Sequence, residues 1–149
     1  WETDYESLVR QMIESTCSSQ IAWISLGSLR FNPEMKKKIE MNFPASDITY
    51  TEMIRGDDGK MRYPKPLRMR MYRHVMDVLS AALGYDDLSP QTGFDKPLFY
   101  FCMERWDVWH DLLGSSPTSI QDLDYLFAKS LQARFFTDLP VPNPIDYGV

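Results

Sequence analysis

The sequence predicts an α/β fold, and three features of the chain support this expectation. Two short apolar segments, IAWISLG at 21–27 and PLFYFCM at 97–103, are typical of strands that are buried on both faces of a parallel sheet. Segments with apolar residues at helical spacing lie between and around them, as in parallel α/β units. Because two strands are too few for a stable parallel sheet, we expect the chain to form part of a larger sheet or barrel.

The composition limits the kinds of protein that this chain can be. With 149 residues, of which 44% are apolar and 13% aromatic, it can bury the core of one domain. No apolar run reaches the length of about 18 residues that spans a bilayer, so we expect no membrane helix. The chain starts with Trp1 rather than Met, which favours a fragment or a processed product.

The thiols and imidazoles predict neither a disulfide nor a metal site. Cys17 and Cys102, in an acidic and Met-rich chain, favour free, mostly buried thiols and a reduced, cytoplasmic location. The sequence has no CxxxCxxC spacing, so its cysteines alone cannot hold an iron–sulfur cluster. His74 and His110 lack metal-ligand spacing and are expected at the surface. We therefore expect no cofactor and no metal in this chain.

Two helices are predicted around the first apolar strand. In TDYESLVRQMIEST, Thr3 and Glu6 have the spacing of a capping box. In NPEMKKKIEMNF, Asn32 is expected to cap the helix and Pro33 to take its first position. The apolar residues expected on the inner side of this second helix are Met35, Ile39 and Phe43.

Positive charge is concentrated in residues 55–75, around a glycine turn. This stretch has seven Arg or Lys residues and two Asp residues, a charge of +5, whereas the whole chain carries −5, which leaves −10 for the rest. Weak alternation and the Gly56–Gly59 turn predict a β-hairpin over 49–64. The helix that follows is expected to begin near Pro66 and to end at Gly84.

Two further helices and a tail complete the predicted order of elements. ERWDVWHDLLG is expected to be a short helix, and the last helix, within 114–136, is capped by Thr118 or Ser119. The residues of the last helix that are expected to face inward are Ile120, Leu123, Leu126, Phe127, Leu131 and Phe135. The Pro-rich tail at 137–149 predicts an extended chain.

Three blocks of the sequence, taken in order, resemble the C-terminal part of the spore photoproduct lyase family, radical S-adenosylmethionine enzymes that repair DNA. The blocks are WISLGSLRFNPEMKKKIEMNFP, YTEMIRGDDGKMRYPKPLRMRMYRHVM and LFYFCMERWDVWHDLLG. The resemblance covers about residues 1–113, whereas the loop at 84–96, the last helix and the tail resemble the family less closely. It implies the C-terminal fragment of a partial (β/α) barrel, with an inserted β-hairpin and C-terminal helices.

The resemblance also implies a chemistry that this chain supplies only in part. In the family, a [4Fe-4S] cluster and S-adenosylmethionine generate a radical that abstracts a hydrogen from a thymine dimer, and the bond between the thymines then breaks. The cluster motif and the hydrogen-donating cysteine lie in the N-terminal half, so neither Cys17 nor Cys102 inherits that role. A hairpin near the C-terminus carries an Arg-Tyr pair to the lesion, and the matching pair here is Arg62-Tyr63.

The hairpin residues are the main candidates for contact with DNA. Arg62 can neutralise a phosphate, and the Tyr63 ring can stack on an unpaired base or wedge beside it. Among the surrounding basic residues, Lys60, Lys65 and Arg68 lie nearest to the hairpin and to the start of the helix, although Arg68 projects beside the apolar side of that helix. The competing interpretation is an ordinary turn and helix surface whose charges are solvated.

A second set of candidates follows the two predicted parallel strands, at the position where α/β folds bind ligands. These strand-end residues are Gly27, Ser28, Arg30, Cys102, Met103 and Glu104. Gly27, Ser28 and Glu104 are the candidates for cofactor contact, and the alternative for Glu104 is a carboxylate that caps the next helix. The tryptophans expected in the core are Trp23, Trp106 and Trp109.

These observations lead to one functional hypothesis and two alternatives. The chain is expected to be the DNA-lesion-contacting part of a radical repair enzyme that reverses thymine dimers, and to be inactive alone. An exposed edge of its parallel sheet predicts self-association. The alternatives are a non-enzymatic nucleic-acid-binding or protein-interaction module, and a family member that acts on another substrate.

Overall fold

The computed structural model of this protein describes residues 1–91 and 93–149. Within them the helices are Glu2–Ser15 (α1), Met35–Asn42 (α2), Lys65–Leu83 (α3), Trp106–Leu113 (α4) and Ile120–Phe135 (α5). The strands are Trp23–Leu26 (β1), Arg30–Phe31 (β2), Ile54–Arg55 (β3), Met61–Arg62 (β4) and Leu98–Phe101 (β5). The predicted mixture of helix and sheet is confirmed. Of the residues described, none belongs to a helix that is both long and apolar enough to cross a membrane.

The chain divides into two compact units, each with a small sheet. The first unit contains residues 1–27 and 71–149, and the second contains residues 28–70. In the first unit β1 and β5 form a parallel pair, with Trp23 opposite Leu98 at one end and Leu26 opposite Phe101 at the other. In the second unit β2, β4 and β3 form an antiparallel sheet in that order.

The parallel pair confirms one expectation and corrects another. Strand β5 is buried as predicted, since Leu98, Phe99 and Phe101 are each at most 4% exposed. Strand β1 is not buried on both faces, because Trp23 is 48% exposed, and the placement of Trp23 in the core is wrong. The physical reason is that successive side chains of a strand point to opposite faces: Trp23 and Ser25 lie on an exposed face of β1, whereas Ile24 and Leu26 on the other face are half-buried.

The core of the first unit is built by α3, β5 and α4. Its most deeply buried side chains are Tyr72, Leu79, Phe99, Val108 and Trp109. The rings of Phe101 and Trp109 pack edge to face with their centroids 5.5 Å apart. Burial of one large apolar side chain contributes about 1.5–3 kcal/mol, so this cluster holds the three elements together. The prediction that Trp109 lies in the core is confirmed, whereas Trp106 is half-buried.

An arginine that the sequence did not single out holds the segment before β1. Arg134, on α5, donates hydrogen bonds to the backbone carbonyls of Ser18 at 3.0 Å, Ile21 at 2.5 Å and Ala22 at 3.3 Å. Hydrogen bonds from a charged donor are stronger than neutral ones. One guanidinium therefore determines how the chain enters β1.

The predicted start of the first helix is wrong. Helix α1 begins at Glu2 with Trp1 at the N-cap, so Thr3 lies inside the first turn. Glu6 does not close a capping box, because its carboxylate accepts a hydrogen bond from Arg10 Nη2 at 2.8 Å. An i,i+4 ion pair on the helix surface has replaced the expected cap.

The predicted start of the second helix is also wrong. Helix α2 begins at Met35 with Glu34 at the N-cap, so Asn32 and Pro33 precede the helix. The reason is that the chain just before them stays extended in β2, a two-residue strand that local patterns did not predict. Met35 and Phe43, expected on the inner side, are 46% and 62% exposed.

The later helices follow the prediction more closely. Helix α3 stops before Gly84, which has φ +72° and ends the helix as expected. Ser119 caps α5, since its Oγ accepts a hydrogen bond from the Asp122 N–H at 3.0 Å. Two of the α5 side chains expected to face inward do not, because Ile120 and Phe135 are 61% and 39% exposed.

Candidate nucleic-acid interface at the hairpin

The predicted hairpin forms in the second unit. Strands β3 and β4 pair antiparallel, with Ile54 opposite Arg62 and Arg55 opposite Met61. The turn between them closes with hydrogen bonds from the Gly56 N–H to the Lys60 carbonyl and from the Gly59 N–H to the Gly56 carbonyl. The strands are shorter than the predicted span of 49–64. Because β2 pairs with the other side of β4, Arg62 lies on the central strand of the sheet.

Three charged side chains meet on this sheet and form the Arg30–Asp58–Arg62 cluster. Arg30 and Arg62 occupy directly opposed positions on β2 and β4. The Arg62 Nη2 atom lies 2.6 Å from Asp58 Oδ1, and the Arg30 Nη1 atom lies 3.1 Å from Asp58 Oδ2. Like charges at opposed strand positions repel, and the carboxylate between them offsets that repulsion. The two arginines are mostly buried, with side chains 17% and 11% exposed.

The surroundings of Asp58 keep its carboxyl group ionised. Desolvation raises the pKa of this group. Its pKa is lowered by a larger amount by the hydrogen bond from the Lys60 N–H, by the hydrogen bond and charge of Arg62 and by the charge of Arg30. The net effect is a pKa below the ordinary value. The folded protein therefore holds a charged carboxylate between the two guanidinium groups at neutral pH.

Gly56 makes room for the guanidinium of Arg62. A Cβ atom at this position would lie 2.6 Å from Arg62 Nε and 2.9 Å from Asp58 Oδ1, distances that real Cβ contacts do not show. A larger residue at Gly56 would therefore displace the Arg62 side chain. The glycine in the turn is explained by this close approach of a side chain.

Tyr63 and Arg68, both DNA-binding candidates, are connected to each other. Tyr63 follows β4 and is half-buried, and its backbone carbonyl accepts a hydrogen bond from Arg68 Nη1 at 2.5 Å. Arg68, in the first turns of α3, is only 5% exposed. In this structure Arg68 supports the backbone at the end of the hairpin, and its charge is not presented to solvent.

The remaining candidates of the basic region lie at the edges of the hairpin. Lys60 ends the turn and Lys65 begins α3, and both are half-buried. Arg55, on β3, is exposed and donates a hydrogen bond from Nε to the Gly59 carbonyl at 3.2 Å. The sequence placed Arg30 at a strand end. Its position beside Arg62 was not predicted. No local pattern could have found it, since it lies 32 positions before its partner.

The ends of the parallel strands form a separate candidate site in the first unit. A Cβ atom at Gly27 would meet Cys102 Cβ at 3.4 Å. The space beside this glycine, which was predicted to admit a ligand, therefore adjoins the Cys102 side chain. Glu104 accepts a hydrogen bond from the Tyr72 hydroxyl at 2.8 Å. Arg105 rather than Glu104 occupies the N-cap of α4, so Glu104 lies one residue before the cap, near the helix end at which the dipole favours a carboxylate. Ser28, the third candidate, begins the second unit.

The thiols are free as predicted, but both are exposed, so the prediction of burial is wrong. Cys17 Sγ lies 3.0 Å from Ser19 Oγ. Side-chain and backbone hydrogen bonds from Ser19 lower the pKa of the Cys17 thiol below its ordinary value. A surface cavity of about 460 Å³ adjoins this thiol and is lined by residues 13–18 together with Ala82 and Leu83.

In the described ranges 1–91 and 93–149, no three His, Cys, Asp or Glu side chains form a group that could hold a metal ion. Comparison of the chain with protein-family models, with curated proteins and with solved structures finds no match. The function must therefore be argued from the residues of the hairpin and from the three sequence blocks.

Proposed function

We propose that this chain is the DNA-lesion-contacting, C-terminal part of a spore photoproduct lyase-like radical enzyme that reverses thymine dimers. The three ordered sequence blocks support the proposal, and the parallel β1–β5 pair suits a fragment of a partial (β/α) barrel. The main observation in favour of this proposal is that Tyr63 follows Arg62 at the end of a hairpin with a glycine turn. This hairpin lies within a stretch of charge +5 in an acidic chain.

In this proposal each hairpin residue has a distinct role. Arg62 binds a backbone phosphate, and the half-buried Tyr63 ring stacks against a thymine that has left the base stack. Lys60 and Lys65 extend the positive surface on either side. Arg68 is a positioning residue, because it holds the Tyr63 carbonyl rather than a phosphate.

The cofactors of the proposed chemistry belong to the rest of the enzyme. A [4Fe-4S] cluster and S-adenosylmethionine would supply the radical, but Cys17 and Cys102 do not provide the CxxxCxxC motif that binds such a cluster. These residues do not fit the cluster, so the chain alone is expected to be inactive. A reducing cytoplasm suits its two free thiols.

We also propose that the chain self-associates through β1. This strand has an edge without a strand neighbour in the described chain, and Trp23 on it is 48% exposed. Exposed strand edges pair readily with other strands. Sedimentation velocity at high protein concentration should show a dimer or larger species, and a monomer at every concentration would contradict this part of the proposal.

Arg62→Ala tests the proposed contact with DNA. The loss of one charge-assisted hydrogen bond should weaken binding to a single-stranded oligonucleotide that contains the thymine dimer by about tenfold. The slope of log affinity against log salt should become shallower by about 0.7, the value for one phosphate contact on a single strand. Fluorescence anisotropy at several salt concentrations measures both quantities.

Arg10→Ala is the matched control, because it removes one positive charge from an exposed position on α1. It should change neither the affinity nor the salt slope by more than a small amount. If Arg62→Ala behaves as Arg10→Ala does while both remain folded, the proposal is wrong. Equal affinity of the unmodified chain for lesion-containing and undamaged strands would instead favour the non-enzymatic binding module.

A further inference from the structure

The Arg30–Asp58–Arg62 cluster has an excess of positive charge on one sheet. Two guanidinium groups lie against one carboxylate, and neither arginine is more than 17% exposed on its side chain. Mostly buried charges are stable only when they are well paired. The cluster therefore attracts anions, and one that bonds both guanidinium groups better than Asp58 does would be favourable there.

One donor of the cluster, the buried Nε–H group of Arg62, is not used by Asp58. Among the described residues this N–H group has no hydrogen-bond partner. A buried donor without a partner destabilises the folded state, so an acceptor that reached this N–H group would be favourable. The absence of a side chain at Gly56 leaves the space that this part of the guanidinium occupies.

Asp58 is the member of the cluster that can leave. It lies in the turn between Gly56 and Gly59, and its side chain is 34% exposed, about two to three times as much as those of Arg30 and Arg62. The arginines are on paired strands, whereas the carboxylate is on a short turn flanked by glycines, which tolerate many backbone conformations. A rotation of the Asp58 side chain would break its hydrogen bond from the Lys60 N–H and open the site, and the strand pairing would stay intact.

We propose that Arg30 and Arg62 together bind one phosphate group of a nucleic-acid backbone, and that Asp58 is the anion which this phosphate displaces. A phosphodiester carries one negative charge and presents two oxygens to guanidinium groups, as a carboxylate does. The exchange therefore preserves the charge of the cluster. The inference rests on the proposed function for the source of the phosphate. It adds Arg30 as a second phosphate ligand and Asp58 as the anion that is displaced.

Asp58→Asn tests the displacement, with Asp57→Asn as a control that makes the same change of charge in the same turn. The probe is a fluorescein-labelled single-stranded oligothymidylate without a lesion. Asp58→Asn should tighten its binding by about threefold to tenfold relative to Asp57→Asn, because a competing anion at a partly exposed site has been removed. Equal effects of the two substitutions would overturn the displacement.

Arg30→Gln tests the second arginine, with Arg10→Gln as its control. Loss of a charge-assisted hydrogen bond should weaken binding of the same probe by about tenfold, as for Arg62→Ala. Thermal unfolding of each variant establishes that it is folded. If folded Arg30→Gln binds as tightly as Arg10→Gln, the phosphate is not shared between two arginines and the proposal fails.

Titration of the unmodified chain with inorganic phosphate separates the site from the proposed function. The NMR signals of the Arg30 and Arg62 Nε–H groups should shift together and saturate, and they remain informative even if Asp58→Asn does not fold. Shifts of both signals without oligonucleotide binding would support the phosphate site and contradict the proposed function. Tighter binding of a lesion-containing strand than of an undamaged one, without these shifts, would support the function and overturn the site.

Discussion

Arg134→Met should lower the free energy of unfolding by about 2–3 kcal/mol, although Arg134 touches no candidate site. The substitution keeps an unbranched, apolar side chain of the same type as the aliphatic part of arginine and removes every donor. Methionine and arginine have similar helix propensities, so α5 itself should persist. The measured effect therefore reports the hydrogen bonds that Arg134 makes to the segment before β1, together with the smaller contribution of its guanidinium over the exposed Phe135 ring.

The expected loss of stability depends on which of the three backbone carbonyls still accepts another hydrogen bond when Arg134 is removed. The Ser18 carbonyl also accepts the Ile21 N–H, and the Ala22 carbonyl also accepts the Leu98 N–H, each at 3.2 Å. The largest loss is then at the Ile21 carbonyl, where a hydrogen bond from a charged donor contributes about 1.5–3 kcal/mol. The other two bonds from Arg134 add less, because their acceptors remain paired and the site is only part-buried.

Thermal and urea unfolding, followed by circular dichroism, measure the effect. For a chain of this size the melting temperature should fall by about 4–12 °C. Arg10→Met is the control, because the exposed pair of Arg10 with Glu6 contributes only about 0.3–0.5 kcal/mol. Equal melting temperatures for Arg134→Met and Arg10→Met would refute the role assigned to Arg134.

Two further predictions concern a thiol and a helix cap. Iodoacetamide should alkylate Cys17 faster than Cys102 near neutral pH, because the hydrogen bonds from Ser19 lower the pKa of the Cys17 thiol. Mass spectrometry of quenched samples measures both rates. An unchanged rate of Cys17 alkylation in Ser19→Ala would show that the Ser19 side chain is not the cause. Ser119→Ala should lower the free energy of unfolding by about 1 kcal/mol and the melting temperature by about 2–4 °C, because the Asp122 N–H loses its acceptor. An unchanged melting temperature would show that this cap does not stabilise the protein.

The elements that the sequence predicted well are those with strong local signals. Helix α3 has a proline near its start and Gly84 just after its end, and β5 is a continuous apolar segment. The capping predictions at Thr3 and Asn32 failed because other contacts competed for the same residues. Glu6 pairs with Arg10, and the two-residue strand β2 keeps the chain extended up to Asn32.

The sequence also predicted only part of the candidate site, namely the residues that are close together in the chain. The glycine turn, Asp58 and Arg62 lie within seven residues of one another, so the hairpin and its charge were visible in the sequence. The place of Arg68 beside the apolar side of α3 was also visible, but its partner was not, because that partner is a backbone carbonyl, that of Tyr63. The role of Arg30 was also hidden, since strand pairing brings it beside Arg62 from 32 positions away.

By itself, the sequence determined the positions of the long helices, the two apolar strands and the concentration of positive charge around a turn. These features depend on residue types that are close together in the chain. Only the tertiary structure decided which charges meet, because side chains alternate between the faces of a strand and a register shift of one residue would separate Arg30 from Arg62. Whether an arginine binds phosphate depends on that register and on Asp58, and neither can be read from local sequence.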